Sequence, residues 1–337
     1  MSIGQVERGP AGARNGTAEN PEATLKLKVT RSEFAAEGIR LFELRRPTGG
    51  ELPAFTPGSH IPVRVPNGSL RNYSLCSDPV DHSRYVIAVK REEGGRGGSI
   101  SLIDNVQTGD IVEVLGPRNL FELTDSASSY IFVAGGIGIT PIVSMVHWVR
   151  ARDDKPFKLY YLTRNSQVTA FLADLNIEEL KSSVTIHHDD GAPENAFDLW
   201  PIFEKPTKAH IYCCGPRPLI ESVKDMTGHW PINQVHFEDF GSDLVRPRSD
   251  DKPFKVRLAR SNTVLEIPVG TSILEIMRAH GLRAPSSCES GTCGTCKMRL
   301  IAGEVNHRDL VLTAAERVDN IMICVSRAKN DELVLDA

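Results

Sequence analysis

Four cysteines near the end of this chain constrain its fold and chemistry more than any other feature of the sequence. Cys288, Cys293 and Cys296 are spaced C-x4-C-x2-C, and Cys324 follows after a gap of 27 residues. Four thiolates with this spacing can converge on two irons and their bridging sulfides. The sequence therefore predicts a [2Fe–2S] cluster site.

Two glycines support the same interpretation. Gly291 and Gly294 lie inside the cysteine loop, and they allow its backbone to fold closely around a cluster. A structural zinc site with four cysteine ligands is the alternative, but such sites usually supply two close C-x2-C pairs and this chain has one. Tightly clustered cysteines are typical of metal ligands in a reduced compartment, whereas scattered cysteines suit disulfides.

The charge balance excludes some functions. The chain has 39 Lys and Arg residues against 43 Asp and Glu residues, a net charge of −4, which argues against general nucleic-acid binding. No apolar run approaches the ~18 residues of a membrane span. Residues 1–23 also lack the apolar stretch of a secretory signal. We therefore expect a cytoplasmic protein without a membrane anchor.

The chain has 337 residues, a length that suits two or three domains. The pattern of strands, helices and linkers predicts a mobile tail over 1–23, an antiparallel β-barrel over 24–124, a parallel α/β domain over 125–240, a linker over 241–253 and an α+β domain over 254–337.

Local patterns give these modules their expected elements. Six short β-type runs separated by turn residues indicate the barrel. In the α/β domain, helices are expected after each strand, including one near Thr169–Lys181. The last module should begin with a hairpin at Ser261–Asn262. Ser272 and Glu275 then form a capping-box pattern for a helix that closes near Gly281.

A one-electron cluster cannot accept hydride from NAD(P)H directly, so a flavin is required between them. Arg71-Asn72-Tyr73-Ser74 ends a predicted strand and resembles the R-x-Y-S flavin motif of the ferredoxin-reductase superfamily. A glycine-rich turn follows, with Gly97, Gly98 and Ser99 at the start of a helix. Bare backbone N–H groups there can bind phosphate.

A second glycine-rich turn indicates the nucleotide site. The predicted strand YIFVAG runs into a turn and helix that contain Gly135, Gly136, Gly138 and Thr140. This turn resembles the G-G-x-G-x-T-P turn of the same superfamily, whose partner there is a C-G-P turn, matched here by Cys214-Gly215-Pro216. The matching turn follows a β-rich run, where the carboxyl end of a parallel strand is expected to face the ligand. Cys213 is expected to be a buried strand thiol. His187 and His188 are not expected to form a metal site, because adjacent strand residues point to opposite faces.

These motifs together resemble the phthalate dioxygenase reductase family of the ferredoxin-reductase superfamily, a group that includes vanillate demethylase reductases. The resemblance covers nearly all of residues 24–337 and is specific in RNYSLCSDP, FVAGGIGITP, IYCCGP, SSCESGTCG and CVSRAK. It implies a plant-type ferredoxin (β-grasp) fold for the last domain. It also implies FMN as the flavin, whereas the motifs alone leave FMN and FAD open.

The resemblance also implies roles for individual residues. Arg71 would meet the flavin phosphate, with Tyr73 against the isoalloxazine and Ser74 near its N5 atom. Cys214 would lie near the nicotinamide. The remaining residues implied at the flavin and nucleotide are Asn72, Ala88, Val89, Lys90, Gly97, Gly98, Ser99, Gly135, Gly136, Gly138, Thr140, Arg164, Gly215 and Pro216.

The segment Phe237-Glu238-Asp239-Phe240 matches the end of the family's nucleotide-binding domain. Phe237 would cover the isoalloxazine and be displaced by nicotinamide, and Glu238 would help to manage protons. Periodicity alone indicates only that Phe237 is a buried aromatic residue.

The implied function is that of a monomeric reductase component, which passes electrons from NADH through FMN and the cluster to a Rieske-type oxygenase. The residues alone leave the nucleotide open, because Arg164 could hold the 2′-phosphate of NADPH whereas Asp189 and Asp190 would oppose it. The resemblance implies NADH. A vanillate-type demethylase partner and a redox-sensing binding protein are the alternatives.

Overall fold

The structure is a computed structural model, and it describes residues 24–152, 155–241, 247–286 and 289–337. The tail predicted over residues 1–23 lies outside the described residues. So do linker residues 242–246 and Cys288.

A seven-stranded antiparallel sheet forms the first domain. Its strands are β1 (Thr24–Ala36), β2 (Ile39–Arg45), β3 (Ser59–Arg64), β4 (Leu70–Ser74), β5 (Tyr85–Lys90), β6 (Ile111–Leu115) and β7 (Arg118–Asn119). The path runs β4-β3-β6-β1-β2-β5, with β7 beside β3. A bridge between Leu75 and Ile87 brings the end of β4 against β5 and closes the sheet. The predicted antiparallel barrel is confirmed, and helix α1 (Gly98–Asn105) lies on it.

The second domain is a five-stranded parallel sheet in the order β10-β9-β8-β11-β12. Its strands are β8 (Ser129–Gly135), β9 (Phe157–Thr163), β10 (Val184–His188), β11 (Ala209–Cys214) and β12 (Val235–Glu238). Its helices are α2 (Ile139–Arg152), α3 (Leu172–Leu175), α4 (Trp200–Phe203) and α5 (Arg217–Met226). The predicted parallel α/β domain is confirmed, since β8, β9, β10, β11 and β12 all pair in parallel.

One predicted helix of this domain is wrong. Residues 169–181 form the four-residue α3 and a separate 3-10 turn, Glu178–Leu180. Phe171 adopts φ 59° just before α3, and Asn176 caps its end. The helix ends at Asn176, a residue type with low helix propensity. Further 3-10 turns are Gly136–Gly138, Ser166–Val168, Pro193–Asn195, Ile232–Gln234 and Glu316–Val318.

The third domain combines a five-stranded sheet, β14-β13-β19-β15-β17, with the small pair β16-β18. Its elements are β13 (Phe254–Leu258), β14 (Thr263–Ile267), α6 (Ile273–Ala279), β15 (Lys297–Ala302), β16 (Val305–Asn306), β17 (Asn320–Met322), β18 (Arg327–Ala328) and β19 (Glu332–Leu335). The capping box is confirmed, because Ser272 and Glu275 bond reciprocally at the start of α6. The predicted hairpin is also present, with Leu258 opposite Thr263. This α+β arrangement agrees with the fold expected from the sequence.

The barrel and the parallel α/β domain share one apolar core. Ile39 and Phe121 of the barrel side belong to the same cluster as Phe132 of β8. At this junction the Tyr212 hydroxyl donates to the carbonyl oxygen of Glu122 at 3.1 Å. A continuous core of this kind holds the two domains in a fixed relation.

A buried ionic cluster fixes the chain between the second and third domains. Arg308 donates from both Nη atoms to the carboxylate of Asp251. Arg327 donates to the carbonyl oxygens of Thr271 at 2.9 Å and Lys252 at 3.0 Å. The end of the linker is therefore bound to the third domain before β13 begins.

Among the helices that the structure describes, none combines the length and the apolar character needed to cross a membrane.

Candidate functional site

The two turns expected to bind nucleotide lie directly against each other. β8 and β11 are neighbouring parallel strands, and their carboxyl ends carry the two turns. A Cβ atom on Gly138 would lie 2.2 Å from the carbonyl oxygen of Cys214, and one on Gly135 would lie 2.6 Å from Cδ of Pro216. A side chain on Gly138 would displace the backbone of Cys214, and one on Gly135 would displace the side chains of Pro216 and Leu219.

The same turn leaves open space where a pyrophosphate would bind. Gly136 adopts φ +51°, and a Cβ atom there would meet nothing within 4 Å. Thr140, at the start of α2, is buried and donates from Oγ1 to the carbonyl oxygen of Ile137 at 3.0 Å. The helix start behind this turn favours an anion, so the residues present fit a nucleotide pyrophosphate.

Three charged residues follow the ends of the neighbouring strands β9 and β10. Arg164 follows β9, and Asp189 and Asp190 follow the neighbouring β10. The backbone N–H of Asp190 donates to the carbonyl oxygen of Arg164 at 2.7 Å. The two aspartates therefore lie beside Arg164, where the alternation of strands and helices predicted them.

The two histidines of β10 take different partners. A ring nitrogen of His187 lies 2.7 Å from the carbonyl oxygen of Asn195, and Nε2 of His188 lies 3.1 Å from Oγ1 of Thr169.

Cys214 ends β11 and is fully buried. Burial, together with the nearby Glu238 carboxylate, raises the pKa of its thiol well above the ordinary value. The register pairs Cys214 with Glu238 of β12. Cys214 therefore stays a neutral thiol that shapes the site, and its carbonyl group defines the floor beneath Gly138.

Phe237 lies on the side of the parallel sheet that packs against α5. Phe237 pairs with Cys213 in the β11–β12 register and packs on the cluster that contains Ile220 of α5. The Lys224 ammonium lies 5.2 Å from its ring centroid. Phe237 therefore faces helix α5 and not the barrel, because strand residues alternate between faces. Phe240, the second aromatic of the same segment, is 37% exposed.

Arg71 lies on β4, and its side chain packs against Gly98 at the start of α1. A Cβ atom on Gly98 would lie 2.7 Å from both Cγ and Nε of Arg71. Gly97, which precedes the helix, adopts φ 74°. An arginine held at a glycine-rich helix start fits a phosphate group, which both the guanidinium and the helix dipole stabilise.

The other residues of β4 that were predicted to bind the flavin differ in their burial and their neighbours. Tyr73 is partly buried on the barrel core, and burial raises the pKa of its hydroxyl. Ser74 is buried opposite His60, and Asn72 pairs with Pro62.

Three of these residues lie along β5. Ala88 contributes to the core shared with the nucleotide domain, whereas Val89 points into the barrel core. The side chain of Val89 is therefore not available to a cofactor. Lys90 forms a 3.9 Å ion pair with Glu92. Ser99, on the neighbouring helix α1, accepts from the backbone N–H of Glu92 at 3.1 Å.

Three predicted cluster ligands lie in the third domain. Cys296 and Cys324 are buried, and Cys293 is partly exposed. Ile323 donates its backbone N–H to the carbonyl oxygen of Cys296 at 3.2 Å, which brings the two buried cysteine segments together. Cys288, the fourth predicted ligand, lies outside the described residues.

The cluster loop is tightly folded. Gly291 adopts φ 78°, and a Cβ atom there would lie 2.7 Å from Val325. Within the described residues no three His, Cys, Asp or Glu side chains gather as for one metal ion. A [2Fe–2S] cluster shares four thiolates between two irons, so the thiols and the tight glycine loop fit such a cluster.

The sequence did not reveal the residues at which the first and third domains meet. Glu275 lies 3.3 Å from Nη2 of Arg71 and 3.4 Å from Nη1 of Arg96. Arg118 donates to the carbonyl oxygen of Ser286 at 3.3 Å. The capping box identified Glu275, and the glycine-rich turn contains Arg96. Neither local pattern indicates that these residues contact each other across domains.

Comparison with known protein families assigns all three domains. The chain matches the oxidoreductase FAD-binding domain over residues 26–123, the oxidoreductase NAD-binding domain over 132–225 and the 2Fe-2S iron-sulfur cluster binding domain over 256–329. Together with the three sheets and their sites, these domains define an electron-transfer oxidoreductase with flavin, pyridine nucleotide and [2Fe–2S] domains.

Individual relatives narrow this class. The chain is 58% identical to the phthalate 4,5-dioxygenase oxygenase reductase subunit of Pseudomonas putida, over 92% of this chain and 96% of that one. It is 54% identical to the phthalate dioxygenase reductase of Burkholderia cepacia, over 95% and 99%. A solved structure of phthalate dioxygenase reductase matches with a TM-score of 0.86 and 52% identity, covering 93% of this chain and 98% of that one. The chain belongs to the phthalate dioxygenase reductase family.

Proposed function

We propose that this reductase takes hydride from NADH onto FMN and delivers single electrons through its [2Fe–2S] cluster to the Rieske centre of an aromatic-ring oxygenase. The contact between Arg71 and Glu275 is the main support for this proposal. It brings the predicted flavin-phosphate residue into direct contact with the iron–sulfur domain. A flavin held there would lie between a nucleotide site and a cluster, which is the order that electron transfer from NADH requires.

The surroundings of Arg71 support FMN as the flavin. Its side chain is 15% exposed and that of Arg96 is 11% exposed, with Glu275 of the third domain beside both. FAD would have to extend an adenosine group beyond this phosphate position, whereas FMN ends at the phosphate. The iron–sulfur domain lies directly beside this phosphate position, which favours the shorter cofactor.

The protein contributes binding, orientation and exclusion of water. Gly136 and the start of α2 would receive the pyrophosphate of NADH, and the buried Cys214 turn would hold the nicotinamide end. Phe240 is the exposed aromatic that remains to cover the flavin, since Phe237 faces α5. A closed, apolar junction between the domains would keep water from the reacting rings.

The partner and setting follow from the family. Relatives named for phthalate dioxygenation make a phthalate-type oxygenase the first choice. Clustered thiols suit a reduced compartment, so we infer a cytoplasmic protein. We propose that it acts as a monomer and meets its oxygenase by diffusion.

The test combines purified reductase with NADH and two acceptors. Rapid bleaching of the flavin and catalytic reduction of both ferricyanide and cytochrome c are expected. Adding a phthalate-type or a vanillate-type Rieske oxygenase with its substrate then identifies the partner by product formation. Slow bleaching without catalytic turnover would contradict the proposal and favour a redox-sensing binding protein.

A further inference from the structure

The carboxylate of Glu275 has two separate tasks. Its Oε2 atom accepts from the backbone N–H and the hydroxyl of Ser272, both at 2.9 Å, which completes the capping box of α6. Its Oε1 atom faces Arg71 at 3.3 Å and Arg96 at 3.4 Å, both in the barrel domain. The capping bonds fix the carboxylate, so its second oxygen is held toward the two arginines.

The three charged groups are largely shielded from water, with Glu275 21% exposed. Burial and the neighbouring Arg96 cation lower the pKa of Arg71. The pKa of Glu275 is also lowered: burial opposes this, but Arg96, Arg71 and the bonds to Ser272 outweigh it. Glu275 therefore stays ionised and reduces the repulsion between two cations that lie close together.

The charged residues around Glu275 can attract a further anion. Arg71, Arg96 and Glu275 sum to one positive charge. The nearby Glu289 also acts on Arg71, but it is paired with Arg278 at 2.6 Å, so this second pair leaves the sum unchanged. The glycine-rich start of α1 adds the positive end of a helix dipole. Each guanidinium has five N–H donors, and a phosphate monoester carries about −1.5 to −2 charges at pH 7. The charged residues that join the two domains therefore carry one uncompensated positive charge, at the place where the flavin phosphate would bind.

We propose that Glu275 is a positioning residue that couples binding of the flavin phosphate to docking of the iron–sulfur domain. The inference rests on the proposed flavin site at Arg71. When the domain is docked, Glu275 holds Arg71 and Arg96 in the geometry that receives phosphate. When phosphate is bound, it keeps Arg71 and Arg96 in the geometry that contacts Glu275. By linkage each event strengthens the other by the same factor.

The test uses Glu275→Gln in the full chain. Gln is accepted at the third position of a capping box, so the variant loses the charge and keeps the helix start. Glu316→Gln is the matched control. Glu316 forms the same box with Thr313 and an ion pair with Lys297 at 3.1 Å, all inside the third domain. Retention of the visible [2Fe–2S] spectrum shows that the domain is folded.

Two quantities are measured, the dissociation constant of FMN from flavin-stripped protein by fluorescence, and the radius of gyration by X-ray scattering with and without FMN. We expect FMN to compact the parental protein and the control. Glu275→Gln should raise the dissociation constant about fivefold or more, within the usual range of coupling energies. It should also stay expanded when FMN is bound.

Unchanged affinity with normal compaction would overturn the coupling, and so would tighter binding of FMN, because Glu275 would then compete with the phosphate. Arg71→Ala separates this failure from that of the proposed site. If Arg71→Ala weakens FMN binding and Glu275→Gln does not, only the coupling fails. If neither does, the phosphate site itself is wrong. Should Glu275→Gln not fold, Arg96→Gln removes the other side of the contact, and compaction by FMN that survives it contradicts the coupling.

Discussion

The backbone of Gly138 lies against the carbonyl group of Cys214 so closely that a Cβ atom would be 2.2 Å from the oxygen. The contact joins the two turns of the nucleotide site. Gly138→Ala should therefore push the turns apart and cost about 1–3 kcal/mol of stability. We expect a rise of about tenfold in KM for NADH, which thermal unfolding and steady-state kinetics would measure.

Gly228→Ala is the control for this substitution. A Cβ atom there would lie 3.7 Å from the nearest atom, at ordinary contact distance, in the same domain. It should leave KM unchanged and alter stability by less than about 0.5 kcal/mol. Equal effects of the two substitutions would show that the close approach does not determine nucleotide binding.

Loss of one cluster ligand should separate the two cofactor domains. Cys293→Ser is expected to abolish or destabilise the [2Fe–2S] cluster and leave the flavin reducible, because the barrel has its own core. NADH should still reduce ferricyanide, whereas reduction of cytochrome c should be lost. Cys213→Ala, in the core of the nucleotide domain, should keep both activities. Loss of both activities in folded Cys293→Ser would contradict the assignment of separate cofactor domains.

Arg71→Ala should weaken flavin retention. The substitution removes a charge-assisted hydrogen bond worth about 1.5–3 kcal/mol, which corresponds to at least a tenfold rise in the dissociation constant. Flavin released by acid and identified by chromatography should be FMN. Arg64→Ala in the same barrel is the control, because its exposed ion pair with Glu113 at 3.4 Å lies on another strand pair. Recovery of FAD would contradict the flavin assignment.

The sequence predicted the features that depend on residues close together in the chain. Arg71 and the glycine-rich turn, the Gly138 and Cys214 turns and the capping box at Ser272 are all local patterns, and the structure contains each of them. The pairing of Arg71 with Glu275 joins residues 204 positions apart, and no periodicity carries that information. The side of the sheet on which Phe237 lies depends on information of the same kind. Alternation predicts that it is buried, but only the β11–β12 register decides which face it occupies.

The barrel should lose stability in acid through Glu43. Burial tends to raise its pKa, but hydrogen bonds from Arg45, Arg84 and Thr30 outweigh burial and lower it from 4.5 to about 2. Since the folded pKa lies below the unfolded one, the stabilisation is complete above pH ~4.5 and is lost as pH falls toward 2. It amounts to about 3 kcal/mol at neutral pH.

Glu43→Gln should therefore destabilise the protein at pH 7 and progressively less toward pH 3. Urea unfolding, followed by flavin release as a reporter of the barrel, would measure this. Glu113→Gln removes a carboxylate that is 40% exposed and should have little effect at either pH. A difference between Glu43→Gln and parental protein that does not change with pH would contradict the ionic origin of the stabilisation.

The nucleotide preference should follow charge at the end of β9 and β10. Arg164 is one cation for a dianionic 2′-phosphate, and Asp189 and Asp190 lie beside it. We expect kcat/KM to favour NADH, with discrimination that weakens as salt rises, because the Debye length is ~10 Å at 0.1 M. Asp189→Asn should narrow the preference, since Asn keeps the 2.8 Å bond that Oδ1 accepts from the backbone N–H of Gly191 and loses only the charge.

Asp198→Asn is the matched control for this measurement. Oδ1 of Asp198 accepts from the backbone N–H of Trp200 at 3.0 Å in the same two-residue pattern, but after a different segment of the domain. Its kcat/KM values for NADH and NADPH should equal those of the parental protein at every salt concentration. A parental preference for NADPH would show that Arg164 outweighs both aspartates. A preference for NADH that does not respond to salt or to Asp189→Asn would instead place the discrimination in the shape of the pocket, because a charge effect between partly exposed groups must be screened.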